Sequence, residues 1–581
     1  MNLLQIEGLK LAIGGTPILR GIDLCVAPGE TVALVGESGS GKSMTALTVM
    51  RLLPEGAEAQ GRVHFDGQDI LAASEAQMCA LRGDDIGMVF QEPMTALNPI
   101  KTIGEQVAEG IRQHTGASRA DAEGRARTIL ARVGLPEQKF PLTRYPHELS
   151  GGQRQRVVIA IACALKPKLL IADEPTTALD VVMQAQILDL LRELVVENRM
   201  GLLLISHDLA VVAEMADRTV IMRHGEVMED GETVRVLSEQ THPYTRQLAQ
   251  ASMHVPVRKA ASPSRFVSTL GEPAAARPTP SSPLGANVKR PDEGGTNRPP
   301  DEGGTNRPTP LLTVENLVRD YPGRRRSPFS PPQAVRAVDG VSFAMLPGES
   351  VALVGRSGCG KSTLARMILA LDAPTSGCIV FNGMTLTGQR ESALRAARRH
   401  MQVVFQDPYG SFDPRQKVER LVAEPLHLLD RAPTTSEKRE MVADALHQVG
   451  LSSADMAKYP HEFSGGQRQR LSIARAIILR PRLIVADEPV SALDVSIRSQ
   501  ILDLFADLNQ RLGVAYLFIT HDLTVARAIT DTVMVMQDGR IVEYGATASV
   551  LDFPNSVAGR ELVAAAPDLR RAVARRLREQ G

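Results

Sequence analysis

The pattern G-x-x-x-x-G-K-S occurs twice in this chain. It appears as Gly36, Glu37, Ser38, Gly39, Ser40, Gly41, Lys42 and Ser43, and again as Gly355, Arg356, Ser357, Gly358, Cys359, Gly360, Lys361 and Ser362. Glycines let a backbone turn tightly and aim its N–H groups at phosphate oxygens, and a helix starting at the end of the loop adds its positive pole. Lys42 and Lys361 are therefore predicted to reach the β- and γ-phosphates of a nucleotide, and Ser43 and Ser362 to ligate Mg²⁺. Each loop is followed, far along the chain, by an acidic pair that ends an apolar run: Asp173-Glu174 and Asp487-Glu488. A carboxylate at such a strand end faces bound Mg²⁺ directly or through water, which makes Asp173 and Asp487 metal candidates.

The elements that must position these groups are legible around them. Thr31 to Val35 reads as the apolar strand feeding the first loop, and Met44 to Leu52 as the helix leaving it. Leu169 to Ala172 and Leu202 to Ile205 are continuous apolar runs, which suit strands covered by helices on both faces. Residues 3–13 and 18–34 read as short strands, and Thr219 to Thr233 as a last strand-rich piece. Between about 92 and 150 the pattern turns helical, at Ile103 to Ile111 and Ser118 to Val133. The second half repeats the plan: Lys361 follows Lys42 by 319 positions, and Gln467, Glu488 and His521 follow Gln153, Glu174 and His207 by 314. A tandem duplication is the simplest account, and 581 residues exceed one core.

Between loop and acidic pair stand Leu149, Ser150, Gly151, Gly152 and Gln153, repeated as Phe463, Ser464, Gly465, Gly466 and Gln467. Here the chain resembles the ATP-binding-cassette (ABC) ATPases, over nearly all of its length except the central linker and the last residues. The resemblance implies an α/β fold of two tandem P-loop nucleotide-binding domains, each with a RecA-like core, an antiparallel β subdomain and a helical subdomain. It implies ATP and Mg²⁺ as cofactors, Glu174 and Glu488 as general bases, and His207 and His521 as switch histidines beside the γ-phosphate. Gln91 and Gln406, each after Val-Phe, look like the family's glutamines that contact metal and water, and Asp180 and Asp494 like its inter-domain aspartates. In that geometry each Ser-Gly-Gly-Gln segment serves the nucleotide of the other half. Ser464 and Gly466 would complete the Lys42 site, and Ser150 and Gly152 the Lys361 site. Family members often stack an aromatic ring on adenine. Tyr321 is the candidate in the second half, whereas the first half has no aromatic residue before Phe65 and only Ile13 nearby, so weaker nucleotide affinity is expected at the first site. Cys359, near Lys361 and a helix start, is weighed as a reactive thiolate against a small residue that merely fits where the first loop has Ser40.

Three features resemble the dipeptide/oligopeptide import branch of that family: Phe90 to Pro99 with Phe405 to Pro414, the segment His242-Pro243-Tyr244-Thr245-Arg246, and the tandem arrangement, which is similar to fused glutathione-type and microcin-type importer ATPases. The branch implies two transmembrane permease subunits as partners and, indirectly, a periplasmic solute-binding protein. It places the chain peripherally at the cytoplasmic face of the inner membrane. The alternatives are the ATPase of a nickel or other small-solute importer, or a soluble tandem cassette ATPase acting on ribosomes or nucleoprotein. Equal counts of Lys plus Arg and Asp plus Glu, 66 each, argue against a nucleic-acid partner. Five scattered cysteines suit a reducing compartment, and with none after Cys163 in the first half or Cys378 in the second no iron–sulfur cluster is expected. The opening residues lack a signal core, and no run approaches the roughly 18 to 20 apolar residues that cross a bilayer.

These readings divide the chain into a first domain, 1–255, a disordered Pro/Gly-rich linker, 256–309, a second domain, 310–553, and a helical tail, 554–581. In the tail, Leu569, Val573 and Leu577 fall on one helical face, expected to dock on its own domain. An insertion with Arg324, Arg325 and Arg326 reads as a solvated loop. The second half carries only a degenerate trace of the His242 segment, around Pro554 and Leu562 to Pro567.

Overall fold

The computed structural model describes residues 2–177, 179–256, 309–323, 334–407, 410–491 and 493–580. The linker reading and the Arg324 to Arg326 loop fall outside the described residues.

Each half is built on a six-stranded sheet in which the strand feeding the phosphate loop lies inside. In the first half the order is Glu226–Glu232, Arg218–Arg223, Thr31–Val35, Gly201–Ser206, Leu169–Asp173 and Ile86–Val89. In the second it is Arg540–Ala546, Thr532–Gln537, Ser350–Val354, Ala515–Ile519, Leu483–Asp487 and Met401–Val404. All pairs are parallel except the terminal hairpin. Thr31–Val35, Leu169–Asp173 and Gly201–Ser206 are buried along their whole length, as continuous apolar runs require when helices cover both faces. Register then brings the loop and the acidic pair to one edge: Val35 pairs with Ser206, and Asp173 with Ile205. A separate four-stranded antiparallel sheet starts each half, led by Leu4–Ile13 and Thr16–Val26, and by Leu312–Tyr321 and Val335–Met345.

The predicted helical region forms Ile103–Thr115 and Arg119–Arg132, the first opened by a capping box in which Thr102 and Glu105 satisfy each other's N–H groups. The helix after the first loop is shorter than the sequence suggests, Lys42–Val49.

Two findings concern the termini of the halves. The degenerate end of the second half keeps the architecture of the His242 segment. The helix pair Thr233–Glu239 and Pro243–Ser252 is matched by Thr547–Asp552 and Val557–Ala565. In the first pair the Glu229 carboxylate accepts the N–H groups of Thr241 and His242 (3.2 and 3.1 Å), and in the second Glu543 accepts those of Asn555 and Ser556 (2.8 and 3.0 Å). Those bonds need only a carboxylate and backbone, which is why the scaffold outlasts the motif.

The final helix, Leu569–Gln580, corrects the expectation that the tail docks on its own domain: it lies on the first half. Leu569, Ala572 and Val573 close a cluster with Leu209, Ala210, Ala213 and Ala216, while Leu577 is left half exposed. Arg576 donates to the carbonyls of Ala216 and, at 3.0 Å, Glu214. These lie at the end of Leu209–Met215, where a helix leaves carbonyls without internal partners. In return, Val181 and Val182 of the first half join a core cluster of the second.

Candidate functional site

The two phosphate loops are held by close approach of the neighbouring strand. A side-chain carbon at Gly36 would stand 2.3 Å from the Met222 carbonyl oxygen, and one at Gly355 2.3 Å from that of Met536, so only glycine fits. Gly41 and Gly360, at φ 101° and 109°, occupy the left-handed region that lets each loop turn into its helix. Inside, Lys42 Nζ donates to the carbonyls of Gly36 and Glu37 at 2.8 and 3.0 Å, and Lys361 Nζ to those of Gly355 and Arg356 at the same distances. Burial lowers the Lys42 pKa, opposed by the charges of Glu174, Asp494, Asp173 and Glu37. Ser40 and Cys359 are both buried. Burial pushes the Cys359 thiol up, against the pull of Lys361, which favours the small packing residue over the reactive thiolate.

Asp173 and Glu174 close the site from the neighbouring strand end. Ser43 Oγ donates to Asp173 Oδ1 at 3.2 Å, and in the second site the Ser362 hydroxyl works to hold the Asp487 carboxyl down. Burial pushes the Asp173 carboxyl up to about 6, and raises Asp487 as well. A hydroxyl and a buried carboxylate in want of a cation form an oxygen-only donor pair, which fits Mg²⁺.

Glu174 and Glu488 sit in the left-handed region, at φ 46° and 48°, a conformation side chains adopt at cost and retain where neighbours fix it. Their N–H groups are tied to the carbonyls of Ile205 and Ile519, at 3.0 and 2.9 Å. Each carboxylate is then grasped by a histidine and a glutamine. His207 Nδ1 lies 3.2 Å from Glu174 and His521 Nδ1 3.1 Å from Glu488. Gln91 Nε2 donates to Glu174 at 2.9 Å, and Gln406 Nε2 to Glu488 at 3.0 Å. Burial works to raise the Glu174 carboxyl, but the bond and charge of His207, with Thr177 and Lys42, outweigh it and hold it at about 2. Burial likewise opposes the charge on His207, and the Glu174 partner overrides it, so the imidazole pKa is raised. Glu174, His207 and His521 open on one cavity of about 670 Å³ between the halves.

Ser150 and Ser464 cap the helices Gly151–Cys163 and Gly465–Ile477, each within a capping box closed by Gln153 or Gln467. Gly152 and Gly466 let those helices lie against Met183 and Ile497, whose side chains would stand 2.1 and 2.5 Å from an added carbon. The signature segments thus present helix N-termini with free N–H groups. Direct bonds across the halves come from the aspartates: Ser38 N–H donates to Asp494 Oδ1 at 2.8 Å, and Ser357 N–H to Asp180 Oδ2 at 2.9 Å. Ser496 also donates to Glu37 across the same boundary.

Tyr321 stands at the end of Leu312–Tyr321 with Arg319 over its ring at 4.6 Å and its hydroxyl donating to Asp372 at 3.3 Å, so one ring face is already covered. Sequence reasoning missed Thr177, which donates to Glu174 at 3.0 Å, Ser496, and Tyr244, whose hydroxyl accepts the Glu37 N–H at 3.3 Å. The i, i+3 spacing of Glu174 and Thr177 was the one local signal among them.

The chain has relatives among known proteins. The ABC transporter family pattern matches residues 19–177 and 338–491, spanning both loops and both acidic pairs. The chain is 44% identical, over 97% of its length and 90% of theirs, to the glutathione import ATP-binding protein GsiA of Escherichia coli strain K12, of Escherichia coli O157:H7 and of Shigella flexneri. With the lysine loops, the paired carboxylates and the reciprocal aspartate bonds in place twice over, this chain belongs to the ABC transporter family as two fused ATP-hydrolysing cassettes that use ATP with Mg²⁺.

Proposed function

We propose that the chain powers import of a small peptide, glutathione or a close relative, through two membrane permease subunits supplied by a solute-binding protein, and that it sits peripherally on the cytoplasmic side of the inner membrane. The observation that carries the substrate class is the 44% identity to glutathione import ATP-binding proteins across both cassettes and the segment between them. Among the described residues no helix is long and apolar enough to cross a membrane, which accords with attachment through other subunits.

In the engine we infer, each nucleotide is clasped between the lysine loop of one cassette and the Ser-Gly-Gly-Gln turn of the other: Lys42 with Ser464 and Gly466, Lys361 with Ser150 and Gly152. The reciprocal bonds of Asp494 to Ser38 and Asp180 to Ser357 support this pairing, because they already set each loop against the opposite cassette. Bound Mg²⁺, held by Ser43 and Asp173 or Ser362 and Asp487, with Gln91 or Gln406 beside it, would neutralise phosphate charge. Glu174 and Glu488 orient the attacking water, His207 and His521 hold those carboxylates in place, and the backbone N–H groups of the loops bind the phosphates. Loss of the γ-phosphate removes a ligand shared by both cassettes and loosens them, which converts hydrolysis into domain motion.

The test is reconstitution with the two permeases in vesicles, following ATP-driven uptake of glutathione beside a dipeptide and Ni²⁺. Glu174→Gln with Glu488→Gln should lower uptake by at least about a hundredfold. With ATP trapped in that variant, cysteines placed in the Lys42 loop and near Ser464 should cross-link. Uptake of Ni²⁺ alone would overturn the substrate class, and failure to cross-link would overturn the shared-nucleotide engine.

A further inference from the structure

The His-Pro-Tyr-Thr segment has no task in the chemistry above, yet it reaches the first phosphate loop. Tyr244 is buried, with 2% of its surface exposed, and the Arg223 guanidinium lies 4.6 Å from its ring centre. Its hydroxyl accepts the N–H of Glu37, the residue after the first loop glycine, at 3.3 Å. The Gly36 carbonyl of that same peptide group accepts Lys42 Nζ at 2.8 Å, and the N–H of the next peptide, that of Ser38, is held by Asp494. One hydroxyl thus fixes the peptide on which the phosphate-binding lysine rests.

The ring is delivered by a chain of local bonds. His242 caps the helix Pro243–Ser252 by accepting the Tyr244 N–H on Nδ1 at 3.2 Å, and Glu229 anchors the segment by accepting the N–H groups of Thr241 and His242. Burial, with the nearby charge of Glu37, pushes the phenol up to about 12, so the hydroxyl keeps its proton through the working pH range. In the second cassette the same scaffold stands, with Ser556 capping Val557–Ala565, but the residue 314 positions after Tyr244 is Ala558, which has no hydroxyl. There the loop residue Arg356 instead faces Glu561 at 3.8 Å.

We propose that Tyr244 is a positioning residue for the ATP site served by Lys42, its hydroxyl bracing the Glu37 peptide, and that this brace belongs to the first site and not the second. The inference rests on the reading that the Lys42 loop binds nucleotide. It sets the extra support on the site that lacks an adenine-stacking candidate.

The test uses the full chain with one site silenced, by Lys361→Ala to read the first site and by Lys42→Ala to read the second, and measures Mg-ATP affinity with thermal unfolding alongside. Tyr244→Phe keeps the ring and removes the hydroxyl. It should weaken binding at the first site about fivefold, the loss expected for one hydrogen bond, and change the second by less than about 1.5-fold. Should that variant fail to fold, hydrogen exchange in the native chain must show the Glu37 N–H protected at least about fivefold more than the Arg356 N–H, its counterpart in the second loop, and equal rates overturn the proposal. Equal weakening at both sites, or none at the first, overturns the proposal. Tight nucleotide binding that survives Lys42→Ala at the first site would instead overturn the site reading on which it rests.

Discussion

Asp494 makes one of the bonds across the cassette boundary and isolates its share of the energy that couples the halves. Its Oδ1 accepts the Ser38 N–H at 2.8 Å, and it makes no side-chain capping bond to its own helix, Val495–Leu512. Asp180, its counterpart, does both, accepting Met183 N–H at 3.0 Å and Ser357 N–H at 2.9 Å. Burial raises the Asp494 pKa, opposed by the Ser38 N–H and by Lys42, so removing the carboxylate also relieves a desolvation cost. Stability of Asp494→Ala should accordingly change by less than about 1 kcal/mol. A hydrogen bond to a charged acceptor contributes about 1.5 to 3 kcal/mol, and about 1.4 kcal/mol is a factor of ten. Nucleotide affinity at the Lys42 site should therefore fall at least about tenfold, with the Lys361 site spared. Asp180→Ala should strike the Lys361 site instead and, by uncapping Val181–Asn198, cost about 1 kcal/mol of stability as well. Equilibrium binding of Mg-ATP in chains silenced at one loop lysine, with thermal unfolding beside it, separates these outcomes. If Asp494→Ala weakens the Lys361 site, or destabilises the chain as much as Asp180→Ala while leaving affinity intact, the head-to-tail assignment is refuted.

Two further predictions concern the carboxylates. Glu174, held at about 2, contributes stability that is complete above its ordinary 4.5 and drains as pH falls toward 2, whereas His207, raised above 6.5, contributes stability that is complete below 6.5 and is lost as pH rises through its folded-state value. Above its ordinary 6.5 the histidine governs, so the melting-temperature gap between the native chain and Glu174→Gln should narrow with rising pH; a gap that widens would contradict the ion pair. Asp173, pushed up to about 6 from 3.8, loses stability as pH rises through that interval, so at neutral pH Asp173→Asn should stabilise the nucleotide-free chain, by on the order of 1 to 2 kcal/mol. The same variant should abolish the stabilisation that Mg²⁺ adds to ATP, read by adding a chelator. A destabilised Asp173→Asn that still responds to Mg²⁺ would remove Asp173 from the metal site.

The residues we assign to phosphate and metal stand out in the chain, because such chemistry demands fixed types at fixed local spacing. Glycine at 36 and 41, lysine at 42, serine at 43 and a carboxylate ending an apolar strand leave little freedom, and the second copy repeats them. Buried strands such as Leu169–Asp173 were legible for a similar reason, since burial on both faces writes an unbroken apolar run. Tertiary structure alone decided what touches what across hundreds of residues. That Tyr244 supports Glu37, that Asp494 holds Ser38 and that the last helix lies on the first cassette depend on how two halves pack, and packing distance leaves no period in a sequence. The second cassette makes the same point in reverse: its end lost the His-Pro-Tyr-Thr letters but kept the fold, because a carboxylate receiving backbone N–H groups constrains only one side chain.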